Sequence, residues 1–282
     1  MDDVETRELR YFVAVAEELH FGRAADRLGI AQPPLSRAIR RLEHRLGVPL
    51  LARTSRSVRL TPAGETLLHE GRAALNGVAA AVRRTRRAGR DTPALVLALK
   101  AGGDSGLLRA ILRGYAERPG SVPVELVFSV HERAAMVRDG RADLALLHHP
   151  QNDLTGLDSA PLHTEPRMLA LAEDHPLAAR ESITLADLDG LPMPRWPEAA
   201  DPGPGPMVTE VGELLHLVVL GRAVSLVTES AARRPYAGVA YRPVVDAAPA
   251  TLVVAWPEGS RSRRIAGFVE AARAVTSALS PG

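Results

Sequence analysis

LHFGRAADRLGIAQPPLSRAIRRLEHRLGVPLLARTSRSVRLT, residues 19–61, decides how the chain is read. Ala24, Ala25 and Leu28 predict a short helix whose small residues let another helix approach closely, and Gly29 ends it with a residue that tolerates left-handed geometry. A second helix starts near Gln32. Its Pro33 and Pro34 are tolerable because first-turn amides have no partner inside a helix. Leu35, Ile39, Leu42 and Leu46 recur at helical spacing and give it a buried stripe. Gln32, Pro33, Pro34, Ser36, Arg37 and Arg40 fall elsewhere on that helix. Gly47 closes it. Leu50-Leu51 and Val58-Arg59-Leu60 predict two short strands around the basic tip Arg53-Thr54-Ser55-Arg56-Ser57. A helix end with cations on its polar side, beside a basic hairpin, is what a protein needs to enter a DNA groove while gripping phosphates. The expected DNA contacts are Arg23, Gln32, Pro33, Pro34, Ser36, Arg37, Arg40, Arg53, Thr54, Ser55 and Arg56.

Upstream, Leu9, Phe12, Val13, Ala16 and Leu19 give one more amphipathic helix. Downstream, Thr61 reads as an N-cap with Pro62 at the first helical position. The helix that follows runs to about Arg87. Leu68, Gly71, Leu75, Val78 and Val82 recur along it at three-and-four spacing, as in a short coiled-coil seam. Dimerisation is expected of that face rather than packing on its own chain. Charge separates the same region from the rest. Residues 1–90 carry 17 Arg against 10 Asp and Glu, a net of +7, and residues 91–282 carry 18 Lys and Arg against 23 acids, a net of −5. A basic end on a mildly acidic body suggests a nucleic-acid module joined to something else.

The N-terminal segment resembles the winged helix-turn-helix of LysR-type transcriptional regulators. The matching residues are Ala24, Ala25 and Leu28, then Gln32, Pro33, Leu35, Ser36, Ile39, Leu42, Glu43, Leu46, Gly47, Leu50 and Arg53, then Arg56, Leu60, Thr61, Ala63 and Gly64. Two positions depart from the family pattern. Ala31 stands where a capping Ser is usual, a loss of about 1 kcal/mol, and Leu51 replaces a Phe of the wing.

Beyond Thr92-Pro93 the pattern changes. Strands are expected at Ala94–Leu99, Val122–Val130 and Ala142–Leu147, with helices at Leu107–Glu117 and His131–Asp139. Such alternation implies a mostly parallel sheet with helices on both faces. After a polar stretch at 150–163, strands are expected at Met168–Ala172, Leu191–Met193 and Ala223–Val227. A helical turn is expected at Leu185–Leu188 and a helix near 212–220, and Arg233–Ala240 reads as a return connection. Leu252–Ala255 and a helix near 261–278 then complete the first lobe. The run Pro202-Gly203-Pro204-Gly205-Pro206 reads as a loop. Asp143-Leu144-Ala145, His175-Pro176-Leu177-Ala178 and the run Val218–Ser230 are similar to the LysR-type effector domain, which has two α/β lobes like those of periplasmic binding proteins. The resemblance implies an α/β chain of three parts: a winged helix-turn-helix over 1–61, a linker helix over 62–90 and an effector domain over 91–282. Lobe one is expected at about 91–161 and 239–282, and lobe two at about 162–238. It also implies an effector bound between the lobes at the strand ends, where open α/β sheets generally bind ligands.

Each chemical motif has a plainer alternative. Gly103-Asp104-Ser105-Gly106 imitates the nucleophile of a serine protease, but catalysis also needs an oriented base, and the surroundings read strand then helix. Asp104 or Ser105 capping the helix at 106–117 is the better reading. That helix start also faces the expected cleft, where an acid opposes the usual anion preference of helix amides; a simple carboxylate effector is therefore not expected. His148-His149 ends a strand, so the two rings point to opposite faces and do not chelate one metal. His131 lies where the second strand meets its helix. Arg195-Trp196 is either a surface loop or an effector clamp. Thr228-Glu229 caps a helix, lines the cleft, or does both. The expected effector contacts are Asp104, Ser105, His131, His148, Arg195, Trp196 and Thr228. No metal site, cofactor or catalytic set is expected.

Cysteine is absent, which excludes disulfides and thiolate sites. Lys100 is the sole lysine among many Arg, Ala, Gly and Pro residues, which reads as a coding bias. The acidic start Met1-Asp2-Asp3 and the lack of a long apolar run predict neither a secretory signal nor a membrane span, hence a cytoplasmic protein. The expectation is a regulator that binds double-stranded DNA as a homodimer or homotetramer, with an effector shifting the population between closure states. A solute receptor and an α/β enzyme are the rivals, and salt-dependent binding to duplex DNA separates them from it.

Overall fold

The computed structural model describes residues 4–53, 58–89, 93–196 and 205–279. The chain divides into two compact units, Met1–Arg86 and Arg87–Gly282. The first holds α1 (Thr6–Glu18), α2 (Phe21–Leu28), α3 (Gln32–Leu46), β1 (Leu51–Arg53), β2 (Val58–Leu60) and all but the last two residues of α4 (Pro62–Ala88). Phe12, Ala24, Ala25, Leu35, Ile39 and Leu42 share one core, so the apolar stripes of three helices meet as their periods require. Gly29 adopts φ 66°, the left-handed turn between α2 and α3. The cap of α2 is His20, whose Nδ1 accepts from the amides of Gly22 and Arg23 at 3.1 and 3.2 Å.

At the start of α3, Ala31 makes no side-chain cap. The expected penalty does not arise, because a cap serves the second or third helical amide, and here Pro33 and Pro34 have none. The wing is fastened from α3: one carboxylate oxygen of Glu43 accepts from the amides of Leu50 and Leu51 at 3.0 and 3.1 Å. Arg45 forks onto Glu8 at 2.9 and 3.0 Å, joining α3 to α1. Thr61 caps α4, its hydroxyl accepting from the Gly64 amide at 3.0 Å and donating to the Pro49 carbonyl at 2.7 Å.

The apolar face of α4 is divided. Leu68 and Leu75 pack on the first unit's own core, and Gly71 lies against Val13 and Leu9. Val78 and Val82 are 48% and 45% exposed. The seam read from the sequence is thus used inside the chain as far as Leu75.

The second unit contains β3 (Leu95–Leu99), α5 (Leu108–Ala116), β4 (Val124–Phe128), α6 (Arg133–Arg138), β5 (Leu144–His149), β6 (Leu157–Glu165), β7 (Arg167–Ala172), α7 (Val211–Val219), β8 (Ser225–Thr228), α8 (Glu229–Ala232), β9 (Val239–Pro243), β10 (Ala250–Pro257) and α9 (Arg263–Leu279). A five-stranded sheet runs β4-β3-β5-β10-β6 and a three-stranded sheet runs β8-β7-β9. On β3, Leu95, Leu97 and Leu99 face α5 and α9, while Val96 and Ala98 face α6. Burial on both sides explains the unbroken apolar run.

The strands depart from the mostly parallel pattern expected of the sequence. Among the described strands, β3–β4 and β3–β5 are the parallel pairs; β10 is antiparallel to both neighbours, and the smaller sheet is wholly antiparallel. β6 lies largely within the stretch read as polar loop. It is an edge strand, exposed on alternate residues, and it carries Pro161 opposite an irregularity at Leu252/Val253. Val239–Pro243 is a strand of the smaller sheet rather than a return connection, and Leu191–Met193 is not a strand. The chain passes between sheets at Pro166 and again between Pro243 and Ala250, a few residues beyond the bounds of about 162 and about 239 read for the second lobe.

Gly64 tests the fit of α4 against the wing. A Cβ there would lie 2.1 Å from the Leu50 carbonyl oxygen. Gly64→Ala is expected to destabilise the first unit by about 1–3 kcal/mol, read as a lowered urea midpoint for that unit. An unchanged midpoint contradicts the close approach.

Candidate functional site

Two surfaces carry the expected chemistry, one in each unit. In the first, Gln32, Pro33, Pro34, Arg37 and Arg40 are exposed on the opening turns of α3, and Ser36 is half-buried. Arg40 donates to the Ser36 hydroxyl at 3.4 Å. Among the described residues, no acid pairs with Arg37 or Arg40, so both charges face outward. Arg23 differs: it donates to the Glu18 carboxylate at 3.2 Å and to the Glu18 carbonyl at 2.5 Å, which ties it to the end of α1. Thr54, Ser55 and Arg56 lie outside the described residues, as does the Arg53 side chain. Because Glu43 fastens β1 to α3, the base of the wing keeps a fixed place on the helix whose start is exposed.

The second surface is a cavity of about 960 Å³ within the second unit. Residues of both sheets line it, including Lys100 after β3, Arg133 on α6, His148 on β5, Arg167 on β7 and Thr228 at the end of β8. Among the expected contacts, His131, His148, Trp196 and Thr228 are brought together here, and the rings of His131 and Trp196 pack with centroids 5.0 Å apart. His149, one residue along the strand, is exposed. Three other candidates are engaged elsewhere. Asp104 is buried and accepts from the Leu108 amide at 3.3 Å, capping α5, with Arg234 at 3.8 Å. Ser105, at φ 48°, donates to Glu165 at 2.5 Å. Arg195 donates to the Gly205 carbonyl at 2.8 Å.

Sequence reasoning passed over the cations of this cavity. The ammonium of Lys100 is pushed down to about 8, first by burial and then by Arg133 and Arg167. Burial pushes the Arg133 guanidinium down to about 10 and lowers Arg167, against the pull of Glu165. His148 is driven to about 4 by burial and by Lys100 and Arg133, so its ring is neutral at pH 7. The Nε2 atoms of His131 and His148 and the Nε of Arg133 are buried without a hydrogen-bond partner among the described residues. Buried polar atoms are normally paired. Their gathering on one cavity marks it as a place where a polar ligand would be held.

Comparison with known proteins matches residues 6–65 to the bacterial regulatory helix-turn-helix of the lysR family and residues 88–277 to the LysR substrate binding domain. The chain belongs to the LysR family. The Hca operon transcriptional activator HcaR of Escherichia coli is 32% identical over 285 residues, covering 94% of this chain and 96% of HcaR. The regulator AlsR of Bacillus subtilis is 40% identical over 193 residues, 67% of this chain and 63% of AlsR. A solved structure of full-length CbnR complexed with target DNA is 25% identical with a TM-score of 0.51, covering 97% of this chain and 100% of that one. The protein is therefore a DNA-binding transcriptional regulator with an effector-binding domain, not an enzyme, and Gly103–Gly106 is the turn into α5 rather than a nucleophile motif. Among the described residues, no helix is long and apolar enough to cross a membrane.

In this LysR-family regulator, one sequence signal pointed to the cavity: Lys100 is the sole lysine in a chain that otherwise uses Arg, and it follows a strand that ends at the cleft. Its charge opposes folding. Between about pH 8 and the ordinary lysine value of 10.5, the unfolded chain binds the proton that the folded chain has lost, so this group makes stability rise with pH. Below pH 8 the ammonium is charged in both states and the burial cost is borne in full. Lys100→Met is expected to stabilise the protein at pH 7 by about 2 kcal/mol. The gap between variant and wild type should narrow from pH 8 to pH 10.5, as followed by chemical denaturation. A variant less stable than wild type at pH 7 contradicts the assignment.

Proposed function

We propose that the first unit binds operator DNA through the opening turns of α3, with Arg37 and Arg40 as principal contacts beside Gln32, Pro33, Pro34 and Ser36, and with Arg53, Thr54, Ser55 and Arg56 of the wing on flanking phosphates. The observation that carries this reading is the exposed start of α3, where no acid pairs with its arginines among the described residues, and whose two prolines remove amides and leave side-chain donors, Arg37 and Arg40 foremost. CbnR, which this chain resembles in fold, has been solved with its target DNA. Arg23, held by Glu18, contributes less. Arg37→Ala is expected to weaken operator binding by about 1–3 kcal/mol at matched salt while leaving the melting temperature unchanged, because the side chain is exposed. Equal operator affinity for variant and wild type rejects Arg37 as a contact.

The functional particle in this reading is a homodimer in the cytoplasm, joined along the part of α4 that its own core leaves uncovered. Val78 and Val82 lie one helical turn apart and face outward. The double variant Val78→Glu and Val82→Glu is expected to sediment as a monomer at concentrations where the parent is a dimer, since it places charges in the seam. A variant that dimerises as tightly as the parent moves the interface elsewhere.

The cavity of the second unit is the effector site of this reading. An effector that prefers one closure state shifts the population between states only by its differential affinity for them. His131, His148, Trp196 and Thr228 are its contacts here, joined by Lys100, Arg133 and Arg167. The residues Asp104, Ser105 and Arg195 serve as support around it.

A further inference from the structure

We propose that the ligand of this cavity is a small organic carboxylate, its charged end set against Lys100, Arg133 and Arg167 and its carbon body against Trp196, Leu214 and Val227. The inference rests on the effector reading above and names the class of molecule that site takes.

Charge is the first ground. The lining holds five cationic side chains, Lys100, Arg133, Arg138, Arg167 and Arg234, against one carboxylate, Asp153. Asp153 is already bound by Arg138 at 2.8 Å, and Arg234 has Asp104 at 3.8 Å. Three cations remain. Arg133, 4% exposed, donates to the carbonyls of Leu146 and Val130 at 2.8 and 3.3 Å, and Arg167 donates to the Leu226 carbonyl at 3.0 Å. Neutral carbonyls orient a guanidinium without cancelling its charge. No described carboxylate forms an ion pair with Lys100, Arg133 or Arg167. The nearby acid, Glu165, is 2% exposed and occupied: it accepts from the Ser105 hydroxyl at 2.5 Å and from the Ser230 amide and hydroxyl at 2.6 and 3.0 Å. Like charges gathered away from water are costly unless an opposite charge joins them, and a bound anion supplies that charge.

Shape is the second ground. A cavity of about 960 Å³ is far larger than an inorganic phosphate or sulfate. Trp196, Val211, Leu214, Leu215 and Val227 supply apolar lining that such an ion would leave bare. An organic acid satisfies both regions, with Arg offering directional donors and Lys a point charge. Asp104, which argued against a carboxylate in the sequence, is turned to the α5 amide and Arg234 and does not face the cavity lining.

The test uses the full-length protein in calorimetric titration with phenylacetate, hexanoate and adipate, the neutral phenylacetamide, and inorganic phosphate and sulfate. At least one carboxylate is expected to bind saturably, with the amide and both inorganic ions weaker by at least about tenfold. Lys100→Met and Arg167→Gln should each weaken that acid at least about tenfold, and Ala231→Trp, which projects an indole from the lining into the cavity, should obstruct its binding. Since Lys100→Met is expected to be more stable than wild type, its loss of affinity cannot be a loss of fold. An amide or inorganic ion that binds as tightly as the acids, or a Lys100→Met protein that keeps full affinity, overturns the proposal. If the amide alone binds and Ala231→Trp blocks it, the carboxylate assignment fails and the effector reading stands. If none of the organic probes binds, both fail.

Discussion

Glu165 ends one sheet of the second unit, and Arg167 begins the other. Between them stands only Pro166, so the chain passes from one sheet to the other through a single residue, and a second crossing lies between Pro243 and Ala250. A joint of that kind needs something to hold it. The Glu165 carboxylate does so by accepting from Ser105, which follows β3, and from Ser230 on α8. Three donors on a buried carboxylate replace the water it has lost. The left-handed backbone of Ser105 is the strained element that brings its hydroxyl into reach. Ser105 lies on the segment that follows Lys100, and Ser230 lies two residues from Thr228, so the joint ties together chain segments from the two sides of the cavity.

The cavity beside the joint is built against stability. Lys100 and Arg133 are held below their ordinary values by burial, and His148 is kept neutral by the same crowding. A chain selected only for a robust fold would fill this space with apolar side chains. The retained cations, each brought by a different element, are more readily explained by what enters the cavity than by what the fold requires. The first unit shows the opposite economy. Its charged contacts, Arg45 on Glu8 and Arg72 on Glu17, pair elements within a packed core or at its edge, and the unpaired Arg37 and Arg40 stay in solvent.

The first unit was legible in the sequence because its elements announce themselves locally. Leu35, Ile39 and Leu42 repeat at helical spacing, Gly29 and Gly47 stop their helices, and Thr61 with Pro62 starts one. What stayed hidden depended on neighbours distant in the chain. The division of the α4 face at Leu75 follows from where α1 lies. β6 reads as loop because an edge strand needs only one apolar side, and Pro161 is tolerated where a second strand does not pair. The cavity's cations were not legible as a group because Lys100, Arg133 and Arg167, with the neutral His148 among them, meet only once three strands and a helix are placed. Asp104 was legible as a cap of the helix that follows, and it accepts from the Leu108 amide; what the sequence did not show is that this bond and Arg234 leave it outside the cavity lining.

One carboxylate oxygen, that of Glu43, fixes the wing to the helix beside it. The helix start and the wing base therefore move as one piece, and the interval between them works as a gauge of fixed width. A duplex that meets both must present its groove and flanking phosphates at that spacing. Any misfit is taken up by the DNA, whose resistance to bending and twisting varies with sequence. Base steps that no side chain touches then enter the selectivity of this protein through their stiffness.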